Sequence, residues 1–217
     1  MSAGPPLYRG APMPRRFVGV DPGLAGGVAV LELGATGRTV RLFRTPVVVV
    51  HKRGVKRREY DVPGMYLDLA RACDGPHGPK GTGAALIALE LLGPRPAPAG
   101  AGQGHGHVAA FRLGVGFGLW HGIAVALQRP VRLVPPATWK RYAGLLGQTK
   151  AASRVRAAEL YPEVGRLAAA DEGPAEALLL AHWLAAHELA PNAGADGDES
   201  GAPRALGTDL SHEKGEA

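Results

Sequence analysis

The sequence predicts an α/β domain: a mixed sheet that opens with antiparallel hairpin strands, continues with parallel strands and is flanked by helices. Three observations predict it. Two apolar runs, Phe17-Val18-Gly19-Val20 and Val28-Ala29-Val30, flank Asp21-Pro22-Gly23, a turn signal between strands. Ala84-Ala85-Leu86-Ile87-Ala88-Leu89 is a continuous apolar run closed by Glu90, the pattern of a central strand covered on both faces. Around these runs lie helix-length segments, two of them with proline at the entry.

A chain of 217 residues is long enough for one domain with a sizeable core, and 46% hydrophobic residues fit a globular protein. Much of the glycine and proline sits at the two ends and in one internal loop. The expected organisation is a disordered N-terminal segment over 1–16, a folded domain over 17–190 and a disordered acidic tail over 191–217. One cysteine, Cys73, excludes an internal disulfide and a Cys-rich zinc site and fits a reducing compartment. The Gly/Pro-rich, basic start has no apolar signal core. The chain carries +6 overall. Beyond residue 190 six acids face two cations, a net −4, so residues 1–190 carry +10. A basic body points to a polyanion partner.

In chain order, the first strand ends at Asp21 and its partner covers 27–33. A third strand is expected over 39–50, where Val47-Val48-Val49-Val50 is strongly β-branched. Residues 51–58 put Lys52, Arg53, Lys56, Arg57 and Arg58 around Gly54, an exposed hairpin tip or loop. Five like charges in one loop repel each other, which suits phosphate contact. A helix follows over 61–73, then the strand ending at Glu90. A Gly/Pro/Ala loop over 93–106 is long enough to border a site. Its His105-Gly-His107 is a weak metal signal.

The helix over 107–127 is long enough to span a bilayer, but Arg112, His121 and four glycines interrupt it, so the expectation is a packed helix and no membrane. Gly114, Gly118 and Gly122 share one face and permit close packing. The helix is apolar around its circumference and therefore needs cover on more than one side, from the later helices or from a second protomer. A short strand follows over 130–134, then a helix entered through Pro135-Pro136. Thr149 is a plausible N-cap for a helix over 150–161 carrying Lys150, Arg154 and Arg156. The last helix is expected over 174–189, with Pro174 first, Glu176 in the first turn, and Asp171 and Glu172 just ahead.

Each acid alone has a plain reading: a turn cap at Asp21, a complement to the helix dipole at Asp171, Glu172 and Glu176. Together they occupy a first-strand tip, a central-strand tip and a late helix entry. Such points can converge on one edge of an open α/β sheet. Convergent carboxylates without a Cys or His cluster suit Mg²⁺.

Several pieces, in order, resemble the RuvC-like Holliday-junction resolvases of the ribonuclease H-like superfamily, especially phage-type and related bacterial members. They are Val18-Gly19-Val20-Asp21-Pro22-Gly23, Ala88-Leu89-Glu90, the glycine-rich helix from Phe111 to Gly122, Val134-Pro135-Pro136-Ala137-Thr138-Trp139-Lys140, Lys150-Ala-Ala-Ser-Arg154, and Asp171-x-Gly-x-Ala-Glu176-Ala-Leu-Leu-Leu-Ala181. The resemblance runs from Phe17 to Glu188. It implies a ribonuclease H-like mixed sheet and metal ligands at Asp21, Glu90, Asp171 and Glu176. Bacterial members place two aspartates three residues apart in the last segment, where this chain has Gly173. Asp171 matches the phage-like variant, and Glu172 is the alternative fourth ligand.

The activity so implied is a crossover junction endodeoxyribonuclease: two-metal phosphodiester hydrolysis with two Mg²⁺ or Mn²⁺ ions per site. Lys140 or Lys150 would neutralise the scissile phosphate. Lys52, Arg53, Lys56, Arg57, Arg58, Lys140 and Arg154 are the DNA-binding candidates. Cutting two symmetric strands suits a homodimer. The expected location is the cytoplasm, with the nucleoid, or the host cytoplasm for a viral gene. Two rivals are another ribonuclease H-like nuclease acting on RNA or other branched DNA, and an actin-like or sugar-kinase-like ATP binder, whose Asp-x-Gly hairpin also cradles phosphates.

Overall fold

The computed structural model describes residues 15–34, 37–52, 54–74, 85–92, 103–165 and 171–190, and for 103–107 and 150 the backbone alone. Of the expected N-terminal segment over 1–16, residues 1–14 lie outside these residues while Arg15 and Arg16 open the first strand; the tail over 191–217, Arg53 and most of the 93–106 loop also lie outside, as do the side chains of Lys150, His105 and His107.

The strands are β1 (Arg15–Asp21), β2 (Gly27–Gly34), β3 (Gly37–Arg44), β4 (Val47–Lys52), β5 (Val55–Tyr60), β6 (Leu86–Glu90) and β7 (Val131–Val134). Five of them form one sheet in the order β3-β2-β1-β6-β7. β1, β2 and β3 pair antiparallel, while β6 runs parallel to both β1 and β7. This is the mixed sheet, antiparallel hairpin strands first and parallel strands after, that the sequence predicts. The helices are α1 (Val62–Asp74), α2 (Gln103–Ala126), α3 (Pro136–Tyr142), α4 (Lys150–Leu160) and α5 (Glu172–Leu189), with a 3-10 turn at Pro162–Val164.

The two-residue period of the strands assigns side chains to faces. Phe17, Ala29, Leu31 and Ala88 point to one side and pack with α3, α4 and α5. Val18, Val20, Val28, Val30, Ile87 and Leu89 point to the other and pack with α1 and α2. On the first side α5 is buried without a break from Gly173 to Ala186. Leu178, Leu180 and Leu184 are wholly enclosed, each worth about 2 kcal/mol of apolar burial. The close approach needs Gly19, because a Cβ there would collide with the Ala177 carbonyl of α5.

The structure corrects the bounds of several elements. The strand over 39–50 is two strands, β3 and β4, broken at Thr45-Pro46, where proline cannot donate to a ladder. Residues 51–58 hold a hairpin tip, one of the two expected forms: β4 and β5 form a separate hairpin, Val47 pairing with Tyr60 and Lys52 with Val55, and Gly54 takes a positive φ of 76° at its tip. α2 begins at Gln103, four residues early. α5 begins at Glu172 with Asp171 as N-cap, so Pro174 is its third residue; its missing N–H is still one that no helix would satisfy. Thr149 holds the N-cap position of α4 but makes no side-chain cap bond.

α2 differs most. Only 22% of its apolar window Val108–Ala126 is buried. Trp120, Ile123 and Ala124 reach the core, but Phe111 is 74% exposed and Val115 and Val125 are exposed as well. The later helices, expected as possible cover, lie across the sheet. Among the described residues nothing lies against Gly114, Gly118 and Gly122; Gly116 makes the close contact instead, against Pro22 and Tyr60.

Candidate active site

β1 and β6 run side by side with Val20 opposite Leu89, so Asp21 and Glu90 are the next residues along at the same sheet edge. By period, both side chains lie on the α5 face. α5 delivers Glu176 there, and a bridge between Gly26 and Gly173 fastens its first turn to the turn after β1. A Cβ at Gly173 would strike Ala25 and Gly26, so the approach requires glycine.

Electrostatics report the convergence. The Asp21 carboxyl is pushed up to about 7, first by burial, then by the charge of Glu90, with smaller contributions from Glu176 and Glu172. The Gly23 amide, donating to Asp21 Oδ1 at 3.2 Å, offsets part of this. Glu90 is 4% exposed, and Glu176 is also buried. Trp139, enclosed in α3, donates its indole N–H to Glu90 Oε1 at 3.2 Å. Ser153 of α4 donates its hydroxyl to Glu176 Oε1 at 3.1 Å, and Lys140 Nζ lies 3.1 Å from the same oxygen. Among the described residues, no three of His, Cys, Asp and Glu are drawn into one coordination-sized cluster. The acids share a field rather than a closed sphere.

Asp171 stands apart. It is bound to Arg44, Nε to Oδ2 at 2.6 Å, and is not among the charges acting on Asp21. Glu172 is. As the first residue of α5 it lies one turn before Glu176, on the same side of the helix.

The basic candidates divide. Arg58 donates to the Leu24 carbonyl at 2.9 Å, beside the site turn. Lys52 pairs with Glu59 at 2.6 Å. Lys56 and Arg57 are exposed on the hairpin. Lys140 sits on Glu176, and Arg154 is half-buried on α4. Sequence reasoning missed the partners of the acids: the indole of Trp139, Ser153, and Arg44. Only Ser153 left a trace, as a polar residue one turn before Ala157 on the buried stripe of α4.

No protein-family model matches the chain, and no curated protein matches it. Two solved structures are similar in part. T. thermophilus RuvC in complex with Holliday junction substrate is 15% identical with a TM-score of 0.44. The Thermus thermophilus RuvC structure is 13% identical with a TM-score of 0.41. Each comparison covers 76% of this chain and 90% of the other.

Proposed function

We propose that the protein is a metal-dependent, structure-selective endodeoxyribonuclease that resolves four-way DNA junctions as a homodimer. The observation that carries this reading is the Asp21 carboxyl, held against Glu90, Glu176 and Glu172 at one sheet edge until it resists ionisation. Like charges gathered under burial are costly unless a cation joins them. An all-carboxylate donor set fits Mg²⁺ or Mn²⁺. Asp21, Glu90 and Glu176 would hold the ions, with Glu172 favoured over Asp171 as fourth ligand because it faces the same site. Two ions in such a site supply an activated water and a Lewis acid for the departing 3′ oxygen.

The chain's own residues hold the rest. Trp139 and Ser153 fix the rotamers of Glu90 and Glu176. Lys140, already at the acids, lies where a phosphate would meet it, and Lys150 is a second candidate by resemblance. The uncovered apolar face of α2 would be covered by the same face of a second copy, around a two-fold axis.

A synthetic four-way junction, a linear duplex and an RNA–DNA hybrid, each with Mg²⁺ or Mn²⁺, test the reading. Paired, symmetric cuts in the junction alone are expected. Cleavage of the hybrid with an intact junction would move the reading to an RNA-processing nuclease. ATP hydrolysis without cleavage would overturn it.

A further inference from the structure

The β4–β5 hairpin is a ribbon of its own, joined to no strand of the main sheet. Six residues per strand make it about 20 Å long. An isolated two-stranded ribbon is marginal in water, so its placement depends on what grips its base. The grip is at the candidate site. Tyr60 donates its hydroxyl to the Pro22 carbonyl at 3.2 Å, and Arg58 donates to Leu24. The ribbon therefore stands on the turn that carries Asp21.

Its register sorts the cations. Cross-strand partners share a face, so Tyr60, Arg58 and Lys56 lie on one side with Val47, Val49 and His51. Arg57 and Lys52 lie on the other, where Lys52 is already neutralised by Glu59. The side of Tyr60 and Arg58 is the side that meets the site turn. Lys56 continues that row toward the tip, exposed and beyond the anchoring contacts.

Resting on the nuclease reading, we propose that this hairpin is an arm that grips the phosphate backbone of a duplex DNA segment beside the site, and that it does so with the Lys56–Arg58 face only. A two-stranded ribbon has the width that a duplex groove admits, and with Tyr60 anchored on the Pro22 carbonyl the exposed cations of this face read backbone, not bases. The arm would set which stretch of a duplex arm reaches the acids.

Lys56 and Arg57 are neighbours in sequence, equally exposed in class and opposite in face, so they separate facing from mere charge. The full-length protein and its Lys56→Gln and Arg57→Gln variants are titrated with a four-way junction, a linear duplex and a single strand in EDTA, from about 50 to about 200 mM salt. Lys56→Gln is expected to weaken junction and duplex binding several-fold and to lower the salt slope by about 0.9, one phosphate contact. Arg57→Gln is expected to leave both unchanged, and neither variant should alter single-strand binding. Equal losses from the two variants, or a larger loss from Arg57→Gln, overturn the facing. A loss confined to the single strand overturns the duplex partner. Because binding is measured without metal, a wild type that binds but never cleaves would refute the nuclease reading and leave the arm to be judged by its slopes.

Discussion

α2 and α5 lie on opposite faces of the same sheet, both long, apolar and rich in small residues, yet their surroundings are opposites. α5 is enclosed from Gly173 to Ala186 and carries Glu176 and His182 into the interior. α2 leaves Phe111, Val115 and Val125 in the open. The difference shows what an apolar circumference means. It states that a helix needs cover, not who provides it. α5 finds cover within the chain, because Gly19 and Gly173 let backbone meet backbone. α2 keeps Gly114, Gly118 and Gly122 without a close neighbour among the described residues.

Gly19→Ala and Gly118→Leu test that contrast most severely. Gly19→Ala drives a methyl into the Ala177 carbonyl and is expected to cost about 3 kcal/mol or more in urea unfolding. At Gly118 an added Cβ meets nothing among the described residues. Gly118→Leu is expected to fold with wild-type stability and to sediment as a monomer at micromolar concentration, where the wild type is expected to be a dimer. A stable Gly19→Ala would mean that α5 packs more loosely than described. A dimeric Gly118→Leu would place the interface away from this face.

A middle-sized effect is expected on the enclosed side. Trp139→Phe keeps an aromatic ring but removes the N–H that Glu90 accepts. Mn²⁺ affinity, measured by calorimetry, should fall about tenfold or more, the usual cost of losing a group that orients a ligand. Unchanged affinity would reduce Trp139 to packing.

The smallest effect is a pH dependence with two opposed parts. Burial lowers His182 to about 4. The folded state thus resists a proton that the unfolded state accepts, and stability is lost as pH falls from about 6.5 toward 4, by at most about 3 kcal/mol. Asp21 is raised to about 7, so the folded state binds its proton first and stability is gained over an overlapping range. Metal-free wild type should therefore vary little, while Asp21→Asn should show the His182 loss undisguised. A flat profile in that variant would contradict the His182 assignment.

The sheet and most helices were legible because local patterns report them. The run before Glu90 and the turn at Asp21-Pro22-Gly23 each lie within a few residues. Where proline interrupted a pattern, legibility dropped: Pro46 divides one apparent strand, and Pro174 suggested a helix start two residues late. The three acids could be named because each borders an apolar run: Asp21 and Glu90 end one and Glu176 precedes one. Their supporting partners could not. Trp139 reaches Glu90 across 49 residues and Arg44 reaches Asp171 across 127, and no local pattern encodes such pairings. No local pattern separates Asp171 from Glu172 either, because the helix start falls between them.

The central claim is that Asp21, Glu90 and Glu176, from three distant parts of the chain, form one divalent-cation site. Titration of the metal-free wild type and of Asp21→Asn with Mn²⁺ tests it most directly, with unfolding followed in parallel. The account predicts that the wild type binds Mn²⁺ and is stabilised by it. Asp21→Asn should be more stable than metal-free wild type at neutral pH, because a repelled carboxylate is gone, yet bind Mn²⁺ far more weakly. Equal Mn²⁺ binding by both proteins, or none by the wild type, would contradict it.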